Sequence, residues 1–376
     1  MRGKSTLKDI AREAGVSIMT VSLVLRDPRT SRISPALSQK IIRIASKLNY
    51  RPNYVARSLA KNKGSIIGLV VPTLLRPFYS ELTQSIIERA QDNGFSVIAY
   101  SVRGGQQDEE KGVHELLDRG AEGLIICSAH RHDPNIPALI ESNVKLVLIN
   151  RYCENPSASL PYDYIGVDNF TGALRAVNHL VELGHRNIAV IAGPTEYSTG
   201  FDRLQGARQA FKNHHMKPGA GSVYKGDFGR GSGYQAARKM MTRPHRPTAV
   251  FASNDHMAIG ALEAFREAGL KVPGDIALVG FDDIEMSGLP GVDLTTITQK
   301  KDTMGPLAVD VLLDKINLET KAPPIRITLE PSLVIRKTCG SNVTAPKKAS
   351  PDGARRRNYK AVDVRSTSHG DGNKWT

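Results

Sequence analysis

Two hydrophobic periodicities divide the chain. In the first sixty or so residues apolar positions recur at helical spacing: Leu7, Ile10, Ala11 and Ala14, then Val16, Val21 and Val24, then Leu37, Ile41, Ile44, Ala45 and Leu48. Three short helices are therefore expected. Thr6 followed three residues later by Asp9 is a start signal, because hydroxyl and carboxylate can satisfy each other's backbone N–H groups. Gly15 stands where the chain must turn, Ser17 can cap a second helix over about 18–25, and Ser34-Pro35 opens a third. An Ala in the first helix, a Gly at the turn and an inward Val21 is the spacing of a helix-turn-helix, whose second helix enters the DNA major groove. After Tyr50-Arg51-Pro52, Asn53 can cap a further helix over 54–62. So short a segment is marginal in water and is expected to order only against a partner.

From residue 64 onward the pattern changes to short continuous apolar runs between amphipathic segments. Runs at 65–71, 95–100, 123–127 and 144–150 alternate with helical patterns at 78–91, 108–119 and 134–142. After an irregular stretch, 153–162, the series restarts. Strands are expected at 165–167, 188–192, 223–224, 249–252 and 277–281, and helices at 171–183, 203–214, 231–242 and 256–268. The last part, 294–337, reads as a strand, a helix over 303–318 and a Pro-led strand. Such alternation implies parallel sheets covered on both faces. The fold class expected is α/β, with two lobes: one from about 64–163 and 294–325, the other from about 164–293 and 326–338. Ligands of open α/β sheets bind at the carboxyl ends of the strands, so the site belongs between the lobes. Residues 340–376 are too poor in aliphatics to offset chain entropy, and disorder is expected there.

Charge sharpens this division. The net charge is +14, yet residues 1–63 hold 14 Lys/Arg against 3 Asp/Glu and residues 340–376 hold 8 against 3, which leaves the body at −2. Basic ends on a near-neutral body argue for a polyanion at the ends and another ligand at the centre. No stretch is apolar enough to span a membrane and no signal peptide is evident, so a cytoplasmic protein is expected. The three cysteines, Cys127, Cys153 and Cys339, lack metal-ligand spacing and read as reduced thiols.

Several motifs agree on one family: TLKDIAREAGVSIMTVSLVL, NYRPNYVARSLAKNKGSIIGLVV, HLVELGHRNIAVIAG, RPTAVFASNDHMAIGAL, VPGDIALVGFDD and LTTITQ. In this order, over about 5–338, the chain resembles the lactose repressor and galactose repressor family of bacterial transcription regulators. The resemblance implies a helix-turn-helix headpiece (1–50), a hinge helix (51–63) and a body (64–339) like the type I periplasmic binding proteins. It further implies a homodimer on a pseudo-palindromic, double-stranded operator, a small-molecule effector between the lobes, and no cofactor. The positions it assigns to DNA are Thr6, Ser17, Ile18, Met19, Thr20, Ser22, Leu23, Arg32, Tyr50, Asn53, Ala56, Leu59 and Ala60. Leu59 would wedge between base pairs in the minor groove, with the small Ala56 and Ala60 allowing close approach. The apolar Ile18, Met19 and Leu23 would pack on thymine methyls rather than make bidentate hydrogen bonds. The effector positions are Phe78, Tyr79, Tyr197, Arg203, Phe228, Asn254 and Asp282. A sugar-like inducer is the majority case, with a purine-like corepressor as the alternative.

An enzyme is the rival class. GDFGRGSGY lacks the strand–glycine–helix context of a dinucleotide site, and no phosphate-binding Gly-x-x-x-x-Gly-Lys-Ser/Thr loop occurs. Ser5-x-x-Lys8 lies in the headpiece without companion motifs, and His130-Arg-His132 has no third metal ligand in view.

Overall fold

The computed structural model describes residues 6–26, 33–48, 50, 66–103, 105–154, 162–216, 222–317 and 323–341. The hinge segment 51–63, with Asn53, Ala56, Leu59 and Ala60, lies outside them, as do Arg32 and residues 342–376.

Three helices form the headpiece: α1 (Leu7–Ala14), α2 (Ile18–Arg26) and α3 (Pro35–Lys47). The local signals operate as the sequence implies. The Thr6 hydroxyl accepts the Asp9 N–H at 3.4 Å while an Asp9 carboxylate oxygen accepts the Thr6 N–H at 3.0 Å. Gly15 adopts φ 73°, a left-handed conformation that costs glycine little, and its N–H closes α1 on the Ala11 carbonyl. Ser17 Oγ accepts from Thr20 N at 3.1 Å and Ser34 Oγ from Leu37 N at 3.4 Å. Ile10, Ala14, Val21, Val24 and Ile41 then bury together as a separate small core. Lys40 Nζ reaches the free Ala14 carbonyl at 3.1 Å, a cation on the negative end of α1.

The body begins with β1 (Ile66–Val71), α4 (Pro77–Asp92), β2 (Ser96–Ser101), α5 (Gln106–Asp118), β3 (Gly123–Ile126), α6 (Asn135–Glu141), β4 (Leu146–Ile149) and β5 (Asp163–Val167). Next come α7 (Asn169–Glu182), β6 (Ile188–Ala192), α8 (Ser198–Asn213), β7 (Val223–Lys225), α9 (Arg230–Met241), β8 (Ala249–Ala252), α10 (Asp255–Glu267) and β9 (Ala277–Val279). The described chain closes with β10 (Thr296–Thr298), α11 (Lys301–Asn317), β11 (Arg326–Leu329) and β12 (Ser332–Val334). One sheet has the order β11-β5-β4-β3-β1-β2 and the other β7-β6-β8-β9, with every pairing parallel. Apolar strands such as Ile66–Val71 are buried on both faces, as parallel strands between helical layers must be.

The expected lobe membership needs three corrections. Residues 163–167 pair with β4, in register Leu148 with Tyr164, so they belong to the first lobe rather than opening the second. Residues 326–329 pair with β5, Ile327 beside Ile165, and also join the first sheet. The segment 294–298 goes the other way: Thr295 bridges Val279 and Thr298 bridges Asp282, extending the second sheet, while β10 pairs antiparallel with β12. The chain thus crosses between lobes three times, after β5, after β10 and after β11. The α8 helix also starts earlier than 203, at Ser198, which moves Arg203 into its second turn.

Candidate functional site

Recognition in the headpiece depends on what α2 leaves uncovered. Val21 and Val24 are fully buried, whereas Ile18 is 47% and Met19 81% exposed. Apolar side chains beside a complete core are available to an outside partner. Ser22 is exposed, and Thr20 and Leu23 lie at the margin of the same face. Thr6 and Ser17 act locally as caps, and Ser17 shares a hydroxyl–hydroxyl bond of 2.9 Å with Thr20, whose N–H it accepts. Tyr50 packs at the edge of the headpiece core.

In the body, the carboxyl ends of the two sheets face one narrow cleft with a free cavity of about 30 Å³. Six of the seven residues expected there, Phe78, Tyr79, Arg203, Phe228, Asn254 and Asp282, line it together. Its base is a buried ion pair. Arg203 Nη1 lies 3.1 Å from Asp282 Oδ1 and 2.7 Å from the Ser253 carbonyl; its Nε donates to Asn169 Oδ1 at 2.8 Å, and its guanidinium lies 3.8 Å from the centre of the Phe281 ring. A buried pair of this kind holds only when its remaining donors are satisfied. Gln299 Nε2 also donates to Asp282 Oδ1, and Lys301 Nζ holds the Asp282 and Asp283 carbonyls at 2.8 and 2.6 Å. Burial pushes the Asp282 carboxyl up, and Arg203 and then Lys301 oppose that shift. Asp255, next to it, is pushed up to about 7, chiefly by burial and then by the charge of Asp282. It accepts from Ser287 Oγ at 2.7 Å, Thr296 Oγ1 at 2.5 Å and Ile284 N at 3.1 Å, so it holds the loop that presents Asp282.

Backbone strain gathers here. Asn150 (φ 66°), Phe228 (φ 66°) and Asp282 (φ 116°) are left-handed, a costly conformation for residues with side chains and one common at ligand sites. Asn254 caps α10 through Met257 N at 3.0 Å, and its Nδ2 holds the Phe228 carbonyl at 3.1 Å. Its place in the cleft is thus as much to fix Phe228 as to meet a ligand.

Tyr197 is the exception. It does not line the cleft; its ring stacks 3.6 Å under the Arg151 guanidinium and 4.7 Å from His130. The cleft also contains residues the sequence did not point to: Arg76, Asn150, Thr199, His256 and Gln299. Thr199 and His256 lie in the first turns of α8 and α10 and Arg76 just before α4, each two residues from an expected position, whereas Asn150 and Gln299 follow β4 and β10 and are brought here only by the topology. Across the cleft the lobes touch through Arg76 Nη2 to the Asp227 carbonyl (2.9 Å), Arg131 Nη1 to the Thr195 carbonyl (3.3 Å) and Tyr152 OH to Asp202 Oδ1 (3.0 Å). Among the described residues no cluster of His, Cys, Asp or Glu is arranged to hold a metal ion, and no helix is long and apolar enough to cross a membrane.

A helix-turn-helix joined to a two-lobed body with a polar, strained cleft defines a class: DNA-binding regulators that respond to a small molecule. The sequence carries both signatures of that class. Residues 6–53 match the model of the bacterial regulatory proteins, lacI family, and residues 177–339 that of the periplasmic binding protein-like domain. The ribose operon repressor of Escherichia coli K12 is 34% identical over 339 residues, covering 88% of this chain and 99% of the relative. The HTH-type transcriptional repressor PurR of Haemophilus influenzae is 32% identical, covering 90% and 99%. Among solved structures, the Lac repressor dimer bound to operator and the anti-inducer ONPF superposes with a TM-score of 0.79 at 33% identity, covering 90% of this chain and 99% of that one. The complex of the transcriptional regulator CelR with cellobiose superposes with 0.67 at 32% identity, covering 89% and 100%. The chain belongs to the lacI family of bacterial regulatory proteins.

Proposed function

We propose that this protein is a transcriptional repressor, acting in the cytoplasm as a homodimer on a pseudo-palindromic operator, whose DNA affinity is set by a sugar-like molecule bound between the lobes. The observation that carries the reading is the pairing, in one chain, of an exposed apolar start to the recognition helix with an interlobe cleft built on Arg203 and Asp282. In this reading Ile18, Met19 and Leu23 meet base edges, and Thr6, Ser17, Thr20, Ser22 and Tyr50 position the headpiece on the backbone. Arg32, Asn53, Ala56, Leu59 and Ala60 keep the DNA roles that the resemblance implies. Two recognition helices require two half-sites, which makes the operator an inverted repeat. In the cleft, Phe78 and Phe228 stack on the ligand while Arg203, Asp282 and Asn254 meet its polar groups. The body serves binding rather than catalysis.

Likeness to the ribose operon repressor favours a carbohydrate, and likeness to PurR favours the second reading, a purine-like corepressor. Selection of bound fragments from a random-sequence DNA pool tests the core of the proposal. Enrichment of an inverted repeat is expected; a pool that stays unenriched at moderate salt contradicts specific operator binding. A ligand that releases the selected DNA identifies induction, and one that tightens retention identifies corepression.

A further inference from the structure

The charges around the cleft do not balance. Arg203 is neutralised by Asp282, but two other guanidinium groups stand near Tyr79, a cleft-lining residue, and neither has a carboxylate at ion-pair distance among the described residues. Arg76 lines the cleft, and its guanidinium donates to a carbonyl, that of Asp227; the Asp227 carboxylate itself takes the Gly229 N–H at 2.7 Å. Arg151, at the carboxyl end of β4, is only 2% exposed. Its Nη1 makes one long bond to the Ser128 carbonyl, 3.3 Å, and its Nε has no partner. Its guanidinium lies 3.6 Å from the centre of the Tyr197 ring and 5.8 Å from that of Tyr79.

The acids behind Arg151 do not supply a counter-ion. Asp133 spends its carboxylate on the N–H groups of His130 and Asn135, at 3.1 and 3.0 Å. Glu109 is buried, and burial first and the charge of Asp133 next push its carboxyl up to about 7 against the opposing pull of Arg151, with which it makes no ion pair. A buried guanidinium without a counter-charge is costly, and the same group gains most from a bidentate anion. Two buried acceptors among the cleft-lining residues are also unpartnered: Asn150 Oδ1 and Gln299 Oε1. They call for hydroxyl donors.

Building on the reading of this cleft as the effector site, we propose that the effector is a small polyhydroxylated anion. Its anionic group sits on the Tyr79 side, held by Arg76, while Arg151 adds its charge from 5.8 Å beneath the Tyr79 ring, outside the cleft lining; the ligand's hydroxyls meet Asn150, Gln299 and the Arg203–Asp282 pair. A phosphate ester and a carboxylate share the chemistry that two guanidinium groups recognise, so sugar phosphates and sugar acids are the two sources.

Matched probes separate them: ribose, ribose 5-phosphate and ribonate; glucose, glucose 6-phosphate and gluconate; and inorganic phosphate alone. Each is titrated into the full-length protein by calorimetry and thermal shift, then added to the selected operator complex. At least one anionic sugar is expected to bind ten times or more tightly than its neutral parent, about 1.4 kcal/mol. Arg76→Gln, at the cleft mouth, is expected to lower affinity for the anionic sugar about ten-fold or more and affinity for its neutral parent much less, so that the preference is lost. Arg151→Met, which removes the charge beneath the Tyr79 ring, gives a partial loss of the same preference. A neutral sugar or a purine that binds as tightly as every anionic probe overturns the proposal, as does a set of anionic sugars that leaves the protein unshifted. If the anion binds but no ligand alters DNA retention, this inference stands and the regulatory reading of the cleft fails.

Discussion

Ile18 and Met19 are exposed on a helix whose own core is already complete, and only a partner outside the domain gives those side chains a use. Because the core does not need it, Met19→Ala is expected to leave headpiece stability within about 0.5 kcal/mol. The same change is expected to weaken operator binding and to relax preference for thymine at the base it meets. Titrating selected and base-substituted operators checks this; equal losses on every operator sequence would make Met19 a non-reading residue. Buried carboxyls give a second prediction at this scale. Glu109 is raised to about 7, so between its unfolded value and that point the folded protein binds more protons than the unfolded chain. Its contribution to stability therefore falls as pH rises through roughly 4.5–7 and is flat above. Glu109→Gln removes that slope, so wild type should lose stability relative to the variant between pH 5 and 8 in paired melting curves.

Single residues also show what a sequence discloses. Thr6, Gly15, Ser17 and Ser34 were legible because capping and turning act within four residues, and the structure uses all four as expected. Arg76, Asn150, Arg151 and Gln299 carry no such signal. Their meaning arises from neighbours far away in sequence, such as Arg151 against Tyr197, which also draws that tyrosine away from the cleft it was expected to line.

At the scale of elements, helices and strands were readable from periodicity, and partnership was not. An apolar run such as residues 163–167 announces a buried parallel strand but not which sheet receives it, hence the exchange of β5, β10 and β11 between the expected lobes. The start of α8 was missed because Ser198, Thr199 and Gly200 are weak helix formers. Tertiary packing imposes the turn: a side chain at Gly200 would stand 2.1 Å from the Pro194 carbonyl oxygen. The headpiece closes its own core, so it should melt independently of the body. Ile41→Ala removes a fully buried side chain from that core and is expected to cost about 2–5 kcal/mol. Calorimetry should show the headpiece transition lowered and the body transition unmoved. A joint shift of both would mean that the two units share one cooperative core.

For the whole molecule, three crossings join the lobes, and Arg76, Arg131 and Tyr152 bridge the cleft. In the proposed function, a ligand that alters those bridges changes the angle between lobes, and that rotation is the signal passed to the DNA-binding end. Coupling of this kind is worth about 1–3 kcal/mol and is reciprocal: a ligand that weakens operator binding must itself be bound more weakly by the operator complex. We propose that the basic residues 355–357 add non-specific attraction to DNA. A chain ending at 341 should show a shallower salt dependence of DNA binding, and an unchanged slope removes them from the interface.

The central claim is that one molecule reads DNA at one end and a small molecule at the other, with the two linked through Arg203 and Asp282. Operator affinity measured with and without the stabilising ligand, in wild type and Asp282→Asn, tests it most directly. A ligand effect of about five-fold or more is expected in wild type, within the range such coupling spans, and its loss in the variant with ligand-free operator affinity retained. A full ligand effect in Asp282→Asn, or operator affinity indifferent to a ligand that wild type demonstrably binds in the cleft, would contradict it.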